Sequence, residues 1–294
     1  MITPNDALLK FRGRLETTDR EDSSASSRQR RIRSELDAAL DIEKDFLTGA
    51  YRRHTKTKPL RDVDIMIVLR DTAYLDRHPH DILELIRSVL APIYGENRVT
   101  CDRFAVRVDF GVKIVDDVSD EVMSFDVVPA FAHESHYLIP DDVLGEWIHT
   151  DPEIHRELAT AANKAFSEQW KPLVKMIKKW NDVHDHLVEP SFLIEVMALN
   201  LIGGPWTGDH RRELRQFFAS AADRIGEGWP DPAKLGPDVS GPLDTDPVKM
   251  SRAQGALRDA EAACTKAIKL EREGYTGEAL KTWRDLFGPL FPLS

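Results

Sequence analysis

The stretch FLTGAYRRHTKTKPLRDVDIMIVL, Phe46 to Leu69, decides how the rest of the chain is read. A short apolar strand runs into Gly49, a basic segment carrying Arg52, Arg53, Lys56 and Lys58 follows, and a second strand opens with Asp62-Val63-Asp64 before Ile65 to Leu69. Residues two apart on a strand share a face, so Asp62 and Asp64 present their carboxylates side by side. Left alone those charges repel. A hard divalent cation removes the conflict, and Mg2+ takes carboxylate oxygens together with substrate phosphates, so the pattern points to phosphate-transfer chemistry. A two-metal site needs a further acid from a neighbouring strand. Asp126 supplies one, because it is the lone acid in the apolar run Ser124-Phe125-Asp126-Val127-Val128-Pro129, where a charge is costly unless paired or metal-bound. Turn-capping aspartates are the competing explanation. Asp102, Asp109, Asp116 and Asp117 are weaker candidates, Asp109 alone lying on the polar face of its strand. A glycine at position 49 lets backbone approach phosphate oxygens closely, and the four basic residues either assist there or form a solvated face.

Outward from this stretch the hydrophobic period divides the chain. Ala7, Leu8, Phe11 and Leu15, and again Ile32, Leu36, Ala39 and Leu40, fall at helical spacing, with the polar stretch Thr17 to Arg28 reading as a loop between two helices. From about Asp45 to Phe131 the period moves towards two, with one helix around Ile82 to Tyr94. The run Phe104 to Ile114 alternates apolar with polar or small residues, and the acidic turn Asp116 to Asp120 joins it to Val122 to Val128 as an expected antiparallel hairpin. From Asp151 onward the chain reads as helical. Trp170 to Trp180 and Leu214 to Ile225 each form an apolar stripe. Three prolines within Pro230 to Pro237 make Gly226 to Pro247 a long connection, and a helical pair at Val248 to Glu273 and Gly277 to Phe287 follows. The expectation is a mixed α+β catalytic half, residues 1–160, and a helical half, residues 161–294, with the cleft between them as the binding site.

The chain has 294 residues, of which 41% are hydrophobic, enough for a sizeable core without disulfide staples. Forty basic against 50 acidic residues leave a net charge of −10, which opposes sequence-independent adhesion to nucleic-acid phosphates. Cys101 and Cys264 lack metal-ligand spacing. No apolar run reaches the roughly 18 residues of a membrane span, and Met1 to Arg14 lacks the apolar core of a secretory signal. A cytoplasmic protein without membrane attachment is expected.

Glycine and a small residue, then Asp-x-Asp opening a strand, then a third aspartate, is a pattern that resembles the polymerase-beta-like nucleotidyltransferases. Further along, Phe125-Asp126-Val127-Val128-Pro129-Ala130, Trp147 with Thr150-Asp151-Pro152, Val174-Lys175-Met176-Ile177-Lys178-Lys179-Trp180, Ser191-Phe192-Leu193-Ile194-Glu195 and the ending Trp283-Arg284-Asp285-Leu286-Phe287-Gly288 with Phe291-Pro292 resemble the bacterial cGAS/DncV-like branch. The resemblance runs from about Phe46 onward. It implies an α+β fold, a polymerase-beta-like nucleotidyltransferase core with a mixed sheet plus a C-terminal helical lobe. It also implies nucleoside triphosphates as substrates, two Mg2+ ions with Mn2+ as an alternative, and a cyclic oligonucleotide product that activates an effector protein in antiphage defence. A regulatory protein partner belongs to the same picture. Carried over, Asp62, Asp64 and Asp126 hold the metals, Gly49, Ala50 and Arg53 adjoin the nucleotide, and Lys178 and Ser191 contact the donor triphosphate. From the residues alone, Lys178 is a cleft-edge cation or an ordinary exposed lysine, and Ser191, after Pro190 and before an apolar run, is a helix N-cap.

Two departures from the family pattern stand out. Gly49-Ala50 replaces the usual Gly-Ser, removing a hydroxyl whose hydrogen bond to a charged group is worth about 1.5–3 kcal/mol. Backbone N–H groups, Thr55 or Tyr51 are the available substitutes. After Asp246-Pro247 the chain carries Met250-Ser251 where family members commonly have an asparagine. A transferase acting on an RNA end or a small acceptor is the enzymatic alternative, which the acidic net charge disfavours for large RNA. Ala50 motivates another, a nucleotide-binding pseudoenzyme or regulatory subunit, for which three metal carboxylates would be superfluous.

Overall fold

Strand β2 (Asp62–Leu69) is the axis of the sheet, and its composition explains the place it takes. After Asp62, only Asp64 interrupts a run of buried apolar residues from Val63 to Leu69, the mark of a strand covered on both faces. The computed structural model describes residues 2–112 and 122–294. Among these, β1 (Ile42–Leu47) pairs antiparallel with β2, and β5 (Ser124–His133) pairs parallel with it in the register Asp62↔Ser124 to Leu69↔Phe131. A five-residue helix α3 (Gly49–Arg53) leads out of β1, and α4 (Pro79–Tyr94) lies between β2 and β3 (Val99–Cys101) in the chain. On its far edge β5 takes β4 (Val106–Asp109) along its first half and β6 (His136–Asp141) at its end, and β7 (Glu146–Thr150) adds to β6. The result is a seven-stranded mixed sheet of order β1-β2-β5-β4-β3, with β6 and β7 extending from β5.

The two faces of the sheet differ. Val63, Ile65, Ile67, Leu69, Phe125, Val127 and Phe131 pack with the apolar side of α4. Met66, Val68 and Ala130 form a smaller cluster on the other face with Phe46, Tyr137 and Ile139. By strand alternation Asp62, Asp64 and Asp126 belong to this second face.

Three readings change. The polar stretch Thr17 to Arg28 is mostly helical, because α1 (Pro4–Arg14) is followed by α2 (Asp19–Leu36). Thr18 and Glu21 form a capping box, the Thr18 hydroxyl accepting the Glu21 N–H while the Glu21 carboxylate accepts from the Thr18 N–H, and this starts the helix despite its serines. Among its described residues, the alternating run Phe104 to Ile114 is regular strand only at Val106–Asp109. Its antiparallel pairing with β5 is as expected, whereas residues 113–121, including the acidic turn with Asp116 and Asp117, lie outside the described residues. Finally, the sheet does not end at Phe131, since β6 and β7 carry it to Thr150.

The remaining helices are α5 (Pro152–Ala165), α6 (Trp170–Val183), α7 (Ser191–Leu201), α8 (His210–Arg224), the short α9 (Gly241–Asp244) inside the proline-bearing connection, α10 (Pro247–Arg272) and α11 (Thr276–Phe287). The chain falls into two compact units, one of residues 17–54 and 59–155, the other of residues 1–16, 55–58 and 156–294. Helix α1 joins the helical unit because Phe11 packs on Phe287 and Phe291, with ring centroids 5.0 and 5.5 Å apart, and the Arg14 guanidinium donates to the Leu290 carbonyl. The core of that unit is aromatic, built around Trp170, Trp180, Phe217, Phe218 and Trp283. None of the described helices is long and apolar enough to cross a membrane.

Candidate active site

The acidic group is assembled by register. Asp64 and Asp126 are direct partners across the parallel β2/β5 pair, and Asp62 stands one strand period before Asp64, so all three carboxylates arise from adjoining positions on one face. Asp62 is exposed, while Asp64 and Asp126 are half-buried. Three oxygen-rich, acceptor-only side chains so placed are a donor set for a hard divalent cation.

Gly49 lies against this group. Its backbone has a φ of +58°, and a Cβ built there would fall 1.6 Å from Asp64 Oδ2. What fills the space of the missing side chain is therefore the Asp64 carboxylate, rather than the open approach for phosphate that the sequence suggests. The Thr48 N–H donates to the Asp64 carbonyl at 2.8 Å and ties the end of β1 to the same residue. Only glycine combines this backbone conformation with that contact.

The pairing of Asp126 is a feature that sequence reasoning missed. Arg107 is its direct partner across β4/β5 and grips it with two hydrogen bonds, Nε to Oδ1 at 2.9 Å and a terminal nitrogen to Oδ2 at 3.0 Å. The Asp126 carboxylate raises the Arg107 pKa above its ordinary value, with Asp62 adding to the effect and burial opposing it. Arg107 reads in sequence as one more polar residue of an alternating strand, and only the register with β5 gives it a role. Asp109, two residues on, uses its carboxylate locally to accept the Gly111 N–H, and Asp102 accepts the N–H of Arg103.

In the basic segment, Arg53 and Lys56 are largely buried and Thr55 is fully buried, so this is not a uniformly solvated face. Arg52 lies 3.8 Å from Glu153, both exposed. The Tyr51 hydroxyl donates to Asp22 at 2.8 Å, and burial first and this bond second push its pKa up. That bond ties α3 to α2.

In the helical unit, Lys178 is 8% exposed, neither an ordinary surface lysine nor an open cation. Its ammonium donates to Glu195 at 2.5 Å, and Glu195 is itself buried. Ser191 is exposed and occupies the first turn of α7, while Pro190 holds the cap position and no side chain caps the helix. The expected N-cap role is thus overturned. Ser191 and Glu195 are four apart on α7 and share a face, which puts Ser191 one turn from the carboxylate that holds Lys178. The neighbouring Lys179, fully buried, donates to the Lys58 carbonyl at 3.1 Å and to Asp182 at 2.9 Å. The segment Thr150-Asp151-Pro152 also has a local purpose, since Asp151 accepts the N–H groups of Glu153 and Ile154 and starts α5.

Comparison with known proteins adds independent information. The profile of the Second Messenger Oligonucleotide or Dinucleotide Synthetase domain matches residues 1–163. A "Probable cyclic nucleotide synthase" of Bacillus cereus is 29% identical over 282 residues, covering 83% of this chain and 81% of the relative. A "Cyclic AMP-AMP-AMP synthase" of an Acinetobacter species is 25% identical over an alignment of 316 residues, covering 100% and 87%. Among solved structures, the Bradyrhizobium diazoefficiens CD-NTase CdnG in complex with GTP superposes with a TM-score of 0.74 at 12% identity, covering 97% of this chain and 96% of that one. That last likeness is one of fold.

Proposed function

The chain belongs to the Second Messenger Oligonucleotide or Dinucleotide Synthetase family, and from that premise we propose how its residues perform the work of a cGAS/DncV-like nucleotidyltransferase. It is an enzyme of the cyclic oligonucleotide synthase class, with an α+β nucleotidyltransferase fold and a helical lobe. The family works with divalent cations; here the reading is finer, namely two Mg2+ ions held by Asp62, Asp64 and Asp126, with Mn2+ able to replace them. The observation that carries it is the placement of the three carboxylates on one face, with Gly49 making room for Asp64.

In the reaction a ribose hydroxyl of one nucleotide attacks the α-phosphorus of a bound triphosphate, an O–P bond forms, the bond to the bridging oxygen breaks, and pyrophosphate leaves. Bound divalent cations supply charge neutralisation at the triphosphate and lower the pKa of the attacking hydroxyl. The chain's own part is alignment and electrostatics. Asp126, on β5 beside Asp64, is the acid assigned to the attacking hydroxyl, and Arg107 holds its carboxylate in the plane of two hydrogen bonds. Gly49 keeps the Asp64 carboxylate in place, and Ala50 and Arg53 adjoin the bound nucleotide. Lys178 and Ser191 are assigned to the donor triphosphate, and the arrangement of Lys178, Glu195 and the first turn of α7 supports this by fixing the lysine. A ring closes when the linear intermediate rebinds as donor. ATP is proposed among the substrates, and the product is proposed to activate an effector protein in antiphage defence, with a regulatory protein partner as the switch.

The test is incubation of the purified protein with each labelled nucleoside triphosphate and with all four, plus Mg2+ or Mn2+, followed by mass spectrometry of phosphatase-resistant products. A cyclic oligonucleotide that disappears in the Asp62→Asn/Asp64→Asn variant supports the reading. A linear or acceptor-linked product that survives phosphatase only as a conjugate would move it to the acceptor-modifying alternative.

A further inference from the structure

We propose that His133, His136 and His149 form a binding site for a transition-metal dication of the zinc class, separate from the aspartate site. The three imidazoles are brought together by strand register. His133 and His136 are direct partners at the closing end of the β5/β6 hairpin, with only Glu134 and Ser135 between them. His149 stands opposite Leu138 on β7, diagonal to His136 across β6 and β7. One ring nitrogen from each histidine lies within 4.8 Å of the other two, and His136 Nε2 and His149 Nδ1 are 2.6 Å apart. The ring centroids are 4.8 to 5.3 Å apart. A tetrahedral zinc centre with nitrogen ligands at about 2.0–2.1 Å sets its donor atoms about 3.3 Å apart, between the shortest and longest separations found here.

A hydrogen bond between His136 and His149 accounts for one pair of nitrogens. It leaves the convergence of the third imidazole without a purpose, whereas a cation uses all three lone pairs. The donor chemistry also separates this group from the aspartates. Imidazole nitrogens select zinc, copper, nickel or cobalt, and carboxylates select magnesium, calcium or manganese. The location differs as well, because alternation along β5 puts His133 on the face of Phe125, Val127 and Phe131, opposite the face of Asp126. Asp126 and His133 are seven residue steps apart along the strand, a span of about 23 Å at 3.3 Å per residue. His133 is exposed and the other two half-buried, so solvent reaches the group, which provides an entry path and a fourth ligand from water. The bound ion would join β5, β6 and β7, the part of the sheet that extends past the core strands.

The experiment is titration of chelator-treated full-length protein with Co2+, read by visible absorption. The expected result is one equivalent bound with the intense d–d bands of a tetrahedral nitrogen site, bleached by one equivalent of Zn2+. The bands should persist in Asp62→Asn/Asp64→Asn. They should be lost, with Co2+ affinity lowered at least about 100-fold, in His136→Asn and His149→Asn. His133→Ala at the exposed hairpin end serves as the variant least disturbing to folding, with far-UV circular dichroism confirming the fold. Zn2+ should raise the Tm of the parent and not of the histidine variants. No stoichiometric tetrahedral spectrum, a spectrum unchanged in the three histidine variants, or binding abolished only by the aspartate substitutions would each overturn the proposal.

Discussion

At Gly49 a single methyl group decides whether Asp64 can occupy its place. An alanine there brings a Cβ to 1.6 Å from Asp64 Oδ2 and also forces a side chain into a left-handed backbone conformation. The conformational part costs about 1–2 kcal/mol, and displacement by about 1 Å of a carboxylate with the proposed metal-holding role costs about 100-fold in rate. Gly49→Ala is therefore expected to lower kcat about 100-fold or more while lowering Tm by only a few degrees. Steady-state kinetics beside a thermal melt checks both, and unchanged kcat would mean that Asp64 is not a ligand. Arg107 makes the complementary case. It neutralises Asp126 when no cation is present, so Arg107→Ala removes the guanidinium that balances the Asp126 carboxylate. The pair is partly exposed, so the loss of stability without divalent ions is about 1 kcal/mol. Added Mg2+ should then stabilise the variant by more degrees than it stabilises the parent. A smaller Mg2+ effect in the variant would show instead that Arg107 chiefly orients Asp126.

Lys178 on α6 and Glu195 on α7 form a buried charge pair that links two adjacent helices of one unit. Removing Glu195 strands the Lys178 ammonium in the core, a loss of about 3–5 kcal/mol, whereas replacing both with apolar residues is close to neutral. Glu195→Leu should be strongly destabilising and the Lys178→Met/Glu195→Leu double variant stable. If Lys178 also meets the triphosphate, the stable double variant will show a KM for nucleoside triphosphate raised about tenfold or more, and a KM equal to the parent's would leave the pair a purely structural one. This pair also marks the limit of what sequence patterning can convey. The apolar stripe of α6 locates the helix to within a few residues, and Asp62, Asp64 and Asp126 were legible because strand alternation and the cost of a charge in an apolar run need no knowledge of neighbours. Arg107 to Asp126, Lys178 to Glu195 and the three histidines depend on register between strands or packing between helices, which no local period encodes. The helix over Thr17 to Arg28 was obscured for another reason, since its capping box sits at the head of a segment whose serines favour turns. Strands β6 and β7 escaped because Pro140, Gly145 and their acidic neighbours break the alternation.

On the scale of the whole chain, stability in acid is tied to His210 at the start of α8. This histidine is 4% exposed and its Nε2 has no hydrogen-bond partner among the described residues, while Trp206 packs edge-on at 4.8 Å. Burial, reinforced by the nearby Arg12 charge and opposed by Asp209, pushes its pKa down to about 4. The group is neutral in the folded protein and takes up its proton in the unfolded chain at the ordinary value near 6.5. The unfolded state thus binds more protons between these values, and the sign of the linkage makes stability rise with pH across that window. The contribution is complete above pH 6.5 and is lost as the pH falls towards 4, amounting to about 3 kcal/mol over the range. Because His210 lies in the helical unit, the loss should appear as helix melting rather than as failure of the aspartate site. His210→Gln removes the titration. Its Tm should be lower than the parent's at pH 7.5, where the parent's imidazole packing is intact, and the two curves should converge as the pH approaches 4. Parallel curves over that range would mean that His210 keeps its ordinary proton affinity despite its burial.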